Sequence, residues 1–185
     1  TPRQYHLDGI GECCRQRHCR FGIANSFGIA LDIRGDADAV TTVSSNTIRN
    51  TDIEGIFAQS RLDNDADAQI GLFDLTLRDN SVTNIDDNSA FPFVSVYGTR
   101  IESRNTTNLC LDIASNTSVG LGGFEHFRTR QRDTSTFRAE RLTLGAQNAA
   151  TMQTFVAGQN DAGSTASATV ATSYTGVADG TCRNP

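Results

Sequence analysis

Three short segments of the chain repeat one order of residues: a polar residue, Asn, a hydroxyl residue and then a hydrophobic one. They are SSNTIRN at 44–50, DNSVTN at 79–84 and SNTSVG at 115–120, and their asparagines, Asn46, Asn80 and Asn116, fall 34 and 36 residues apart. Self-similar units of this length constrain the fold strongly, because one such unit cannot bury its apolar row alone and must stack on its neighbours. Other segments recur around them. Short β-like runs begin at Gly28 (GIALDI), Gly55 (GIFAQS), Phe91 (FPFVSV) and Phe124 (FEHFRTR), and a second set, AVTTV, GLFDLTL and NLCLDI, comes just before the Asn turns. The loops repeat too, with a DADA core in both GDADAV and NDADAQ.

A stack of coils, each made of several short strands, accounts for these recurrences. Parallel stacking places Ile29, Ile56, Phe93 and Phe127 in one internal file and Ile48 and Val82 in another, at the ~4.8 Å separation of neighbouring strands. Asn at the same turn of successive coils then forms an amide ladder, which supplies the partners that a buried amide needs. Evenly spaced short strands with Asn-Ser/Thr turns also suit a β-sandwich, which stays open at this point. Composition agrees with a β protein: Thr, Asn, Asp and Ser fill 65 of 185 positions, and their side chains compete for local backbone hydrogen bonds in a way that disfavours helix interiors. The expected fold is all-β, a right-handed parallel β-helix of about four coils with terminal caps.

The Asn-bearing repeats, followed by NLCLDIASNTSVG, RTRQRDTSTFRAERLT, TFVAGQN and a Cys three residues from the end, resemble the last coils of secreted bacterial right-handed parallel β-helix repeat proteins. The resemblance covers 21–185 and implies the pectate-lyase-type fold of large surface or adhesin-like polypeptides. That fold carries polysaccharide lyases, hydrolases and non-catalytic adhesive stalks alike, so it does not by itself choose a function.

The chain divides into a leader or cap at 1–20, a β-helical body at 21–157 and a polar capping segment at 158–185. It starts at Thr1 without a charged and apolar signal pattern, and reads as a mature or excised piece of a secreted or cell-surface protein. All 16 basic residues are Arg, against 16 Asp and 5 Glu, for a net charge of −5. No basic run provides the clustered cations that a nucleic-acid surface needs. No stretch is long and apolar enough to be a membrane span. The oligomeric state is left open.

Five cysteines leave at least one without an intrachain partner. A bond between Cys110, in NLCLDI, and Cys182 would pin the C-terminal segment to a coil. Cys110 as a small buried thiol is the alternative. Cys13, Cys14, His18 and Cys19, with His6, lack the C-x2-C spacing of a zinc site. Calcium is the cofactor the acidic loops admit. Asp63, Asp65 and Asp67 alternate as in an oxygen-rich calcium loop, although Ala68 stands where such a loop needs Gly and Asp74 where it needs Glu. Asp36 and Asp38 repeat the pattern on a neighbouring coil, and a solvated acidic loop is the competing reading.

No G-x-S-x-G elbow is present. His126, Arg128 and Arg130 share one face if 126–130 is a strand, a row that could grip a carboxylate and abstract a proton. An exposed charged strand face balanced by nearby acids is the preferred reading of the row. Asp32 and Asp112 occupy matching places in two LDI segments, Asp86 and Asp87 adjoin, and no Asp pair stands out as a hydrolytic dyad. Phe91, Phe93, Tyr97 and Phe124 offer aromatic surface for stacking on a sugar or for filling a core. The functional expectation is an extracellular or surface segment that mediates adhesion or carbohydrate contact. A hydrolase or lyase on the same scaffold, calcium-assisted and acting on a polysaccharide or a small ester or lactone, is the alternative.

Overall fold

A computed structural model gives the architecture. It describes residues 27–49, 51, 53–62, 71–83, 96–120 and 125–183, together with the backbone of 3–8. The strands are β1 (Arg3–Asp8), β2 (Ile29–Arg34), β3 (Asp38–Ser44), β4 (Thr47–Arg49), β5 (Ile56–Arg61), β6 (Leu72–Arg78), β7 (Ser81–Thr83), β8 (Thr99–Ser103), β9 (Asn108–Ala114), β10 (Phe127–Gln131), β11 (Thr136–Glu140), β12 (Gly145–Gln147), β13 (Ala166–Val170) and β14 (Tyr174–Val177). A single helix, α1 (Ala149–Gln159), lies between β12 and β13.

Three sheets share these strands. The first runs β1-β3-β6-β9-β11-β14-β12, the second β13-β10-β8-β5-β2, and the third pairs β4 with β7. Every pairing is parallel except β12 with β14. From β2 to β7 the chain visits the second sheet, the first and the third in turn and then returns one strand further along, and β8–β9, β10–β11 and β13–β14 repeat the step between the two larger sheets. The protein is therefore mostly β with parallel sheets.

Alternation along the strands produces the core. In the first sheet Ala39, Phe73, Leu109, Phe137 and Tyr174 stand in register, as do Thr41, Leu75, Leu111 and Ala139, and all are buried. In the second sheet Ile29 and Ile56 line up with Thr99 and Phe127. Thr99, not Phe93, holds the third place in that file, and Phe93 lies outside the described residues. Ile48 faces Val82 across the third sheet.

The corners explain the recurring turn residues. Ser45, Asp79 and Ser115 each adopt a left-handed backbone, with φ of 56°, 57° and 57°, a conformation that short polar residues tolerate best after Gly. The next residue is the ladder asparagine in each case. Asn46 Nδ2 donates to Asn80 Oδ1 at 3.1 Å and Asn80 Nδ2 to Asn116 Oδ1 at 2.9 Å. Asn116 Nδ2 in turn donates to Asn160 Oδ1 at 2.9 Å, so the ladder gains a fourth member from outside the repeat. The corner leading into the second sheet is crowded instead. A Cβ on Gly98 would sit 2.4 Å from Val119 O, which leaves room only for Gly.

The structure is consistent with the expected all-β class and adds one helix to it. Asn148 caps its N-terminus by accepting a hydrogen bond from Thr151 N at 2.9 Å. Only Met152 and Val156, one turn apart, are buried along it. Two apolar anchors in eleven residues leave almost no helical periodicity in the sequence. In the order of elements the helix comes between β12 of the first sheet and β13 of the second, and Met152 and Val156 join the core. The segment 158–185 contributes β13 and β14 to the two larger sheets before the chain turns back as a tail.

Candidate functional site

The tail closes the outer face of the first sheet. Cys110 on β9 and Cys182 are joined by a disulfide across 72 residues. The backbone N–H of Cys182 donates to the buried Glu140 on β11 at 2.6 Å, and Arg183 Nε reaches Asp74 on β6 at 2.5 Å. The same guanidinium pairs through both terminal nitrogens with Asp38 on β3. Its bonds hold the Asp38 carboxyl below the ordinary Asp range, against a weaker upward push from burial. Asp112, also buried, takes Arg78 at 2.7 Å and Arg141 at 2.5 Å. The described carboxylates of this face are thus engaged with the chain's own cations or backbone.

Asp38 is therefore occupied by a guanidinium, while Asp36 is exposed in the preceding turn. Asp63, Asp65 and Asp67, the centre of the calcium pattern, lie outside the described residues, as do Cys13, Cys14, His18 and Cys19. Asp74, Cys110 and Cys182 place one ligand atom each within 4.8 Å of one another, but bonded sulfurs have no thiolate to offer a metal.

The second sheet presents a different outer face. Three rows of side chains cross its strands. The row at the strand ends holds Arg34, Arg61, Arg104 and Arg132, the last two continuing the ladder one residue past β8 and β10 through Arg104 N to Ser60 O and Arg132 N to Ser103 O. The middle row reads Asp32, Gln59, Glu102, Arg130 and Thr169. The remaining row reads Phe57, Arg100, Arg128 and Ser167.

Glu102 is wholly buried under this layer. Its carboxylate meets Arg100 at 2.8 Å, Arg132 at 3.4 Å, Arg130 at 3.7 Å and Arg104 at 3.8 Å. Arg100 also pairs with Glu54, from the turn before β5, at 3.2 Å. Burial pushes the Glu54 carboxyl above the ordinary Glu range despite Arg100, and among the described residues its buried Oε2 has no partner. Asp32 is gripped bidentately by Arg61 at 3.0 Å and by Arg34 at 2.7 Å. Burial opposes ionisation there, yet the two guanidiniums outweigh it and lower the pKa. Among the described residues, this face carries seven arginines, of which six meet its three carboxylates and Arg128 meets none, in a chain whose net charge is −5. The excess is felt locally: the Arg130 guanidinium is held below its ordinary pKa by burial and by its neighbours Arg132, Arg100 and Arg128, with Glu102 opposing.

Aromatic rings border one end of the arginine layer. Phe27 stacks on Phe57 with centroids 5.3 Å apart, and Arg100 lies over the Phe57 ring at 5.1 Å. Arg128 lies over Tyr97 at 5.6 Å and donates to Ser167 and Thr169 hydroxyls at 3.0 Å each. Tyr97 is buried; Phe91, Phe93 and Phe124 lie outside the described residues.

The structure does not assemble the sequence-derived triad. Arg128 and Arg130 share the outer face of β10, but His126 precedes the strand and its Nδ1 accepts from Thr165 N at 3.4 Å. Asp32 and Asp112 are not equivalent either: one lies on β2 in the second sheet and the other on β9 in the first. The matching LDI letters fall in strands of different sheets. Sequence reasoning missed Glu54, Glu102 and the arginine row. A signal for the row was present, since ALDIR, FAQSR, RIESR and RTRQR each close a strand of the second sheet with Arg.

The chain matches no protein-family model, and neither a curated protein nor a solved structure matches it.

Proposed function

We propose that the chain is a segment of a right-handed parallel β-helix from an extracellular or surface protein, and that it serves adhesion by contacting carbohydrate through the outer face of its second sheet. The recurring order of second, first and third sheet supports the β-helical reading. The observation that carries the function is the arginine layer itself: an excess of partly exposed guanidiniums over acids, with Glu54 and Glu102 buried beneath them. A carboxylate buried beneath four arginines lies out of reach of a substrate and is not available as a general acid or base. Such a surface binds and orients oxyanions without transforming them.

A panel of immobilised polysaccharides, run beside ester, lactone and polysaccharide-cleavage assays with and without calcium, tests this reading. Retention on a polysaccharide without turnover is the expected result. Turnover abolished by His126→Ala or Asp63→Ala would instead establish the hydrolase or lyase alternative.

A further inference from the structure

We infer that the ligand of this face is a highly sulfated polysaccharide laid along the axis of the stack, crossing β10 and β8 rather than following a strand; the inference rests on the carbohydrate-binding reading above. Charge density selects the class. Arg100 and Arg104 extend from β8 and Arg128, Arg130 and Arg132 from β10, two adjacent strands. Against these five cations stand the two carboxylates they cover, Glu102 and Glu54. An excess of three charges over two strands exceeds one per ~4.8 Å strand spacing. A pyranose advances its polymer by a comparable step. A polyuronate brings one carboxylate per sugar and would leave guanidiniums unmatched, whereas sulfate esters at more than one position per sugar meet the excess.

The layer is also held ready for a ligand. Arg100 is braced by Glu54 and Glu102 and by the Phe57 ring, and Arg128 by Tyr97, Ser167 and Thr169. Side chains already ordered lose less entropy on binding. Burial first, and then the neighbouring guanidiniums, hold the Arg130 pKa down, and an intervening anion relieves the repulsion among those neighbours. Sulfate esters stay ionised across the working pH range, as do the guanidiniums that meet them.

The test uses the full chain with dextran sulfate, a polyuronate, uncharged dextran and duplex DNA at matched salt, followed by a salt series. Dextran sulfate is expected to bind tightest, with affinity falling steeply as salt rises. Arg128→Ala, which leaves no carboxylate unpaired, is expected to weaken it several-fold, and Arg104→Ala with Arg132→Ala on the order of tenfold. Arg49→Ala, on the third sheet, should leave it unchanged. Thermal melts confirm that each variant folds. Equal or tighter binding of the polyuronate, or of DNA, overturns the sulfated class. Salt-insensitive binding of uncharged dextran that survives Arg128→Ala overturns this inference while sparing carbohydrate contact. Failure of all three glycans to bind overturns both.

Discussion

Replacing Asn80 by Ala tests the amide ladder at the middle one of its three repeat asparagines. Asn80 Oδ1 accepts from Asn46 N and Asn46 Nδ2, and its Nδ2 donates to Val43 O and to Asn116 Oδ1. All of these groups sit in the buried corner between two sheets. The truncation deprives Asn46 N and Val43 O of these bonds, and a buried polar group left unsatisfied costs about 1–3 kcal/mol. Allowing for partial relaxation, the loss is about 3 kcal/mol, or a fall of roughly 6–12 °C in Tm for a chain of this size. Asn46→Ala supplies the internal control. Asn46 donates to Ser44 O and to Asn80 Oδ1, but its own Oδ1 is buried without a partner among the described residues, so deletion also removes an orphan and should cost about 1 kcal/mol. Urea unfolding followed by far-UV circular dichroism compares the two, and the double variant gives their coupling. Equal destabilisation by the two substitutions, or a coupling below about 0.5 kcal/mol, would refute the ladder as a cooperative device.

Three further outcomes follow from the geometry. Cys182→Ala opens the disulfide that spans 72 residues, and by loop entropy alone should cost roughly 4 kcal/mol; an unchanged urea midpoint would show that the tail is held without it. Gly176→Ala would place a Cβ 1.9 Å from Thr143 O, so a backbone shift and a loss of about 2 kcal/mol are expected, against a wild-type-like melt if the 141–144 turn yields freely. Glu54 binds its proton more tightly when folded than when unfolded. Between the ordinary Glu pKa near ~4.3 and the raised folded value the native state therefore holds more protons, and the Glu54 contribution to stability falls as pH rises. The wild-type curve minus the Glu54→Gln curve should decline with pH through that window, and parallel curves would contradict the burial of this carboxyl.

Much of the scaffold could be read from the sequence because it is periodic. Asn46, Asn80 and Asn116 recur after a left-handed residue, and the strands before them repeat the same alternation, so one corner and its apolar file could be set by comparison of segments. The file of the second sheet was harder. Phe93 and Thr99 both lie near the right spacing, and only the pairing of Thr99 with Ile56 and Phe127 fixes the register, because a slip changes which residues face inward. The helix escaped notice for the same reason in reverse, with Met152 and Val156 too few to mark a period.

By itself, then, the sequence determined that the chain is a β protein of stacked, self-similar strands with amides at the turns, and it carried Arg at four strand ends. Which surface remains for a partner was decided by contacts between distant residues. Arg183 meets Asp38 across 145 positions and Cys182 meets Cys110 across 72, and together they cover the first sheet. The same stacking brings Arg100, Arg104, Arg130 and Arg132 around a single buried Glu102. Charges from separate strands sum only when parallel pairing sets them about 5 Å apart. Along the linear chain those arginines are diluted by 21 acids, and their excess appears only once the strands are paired.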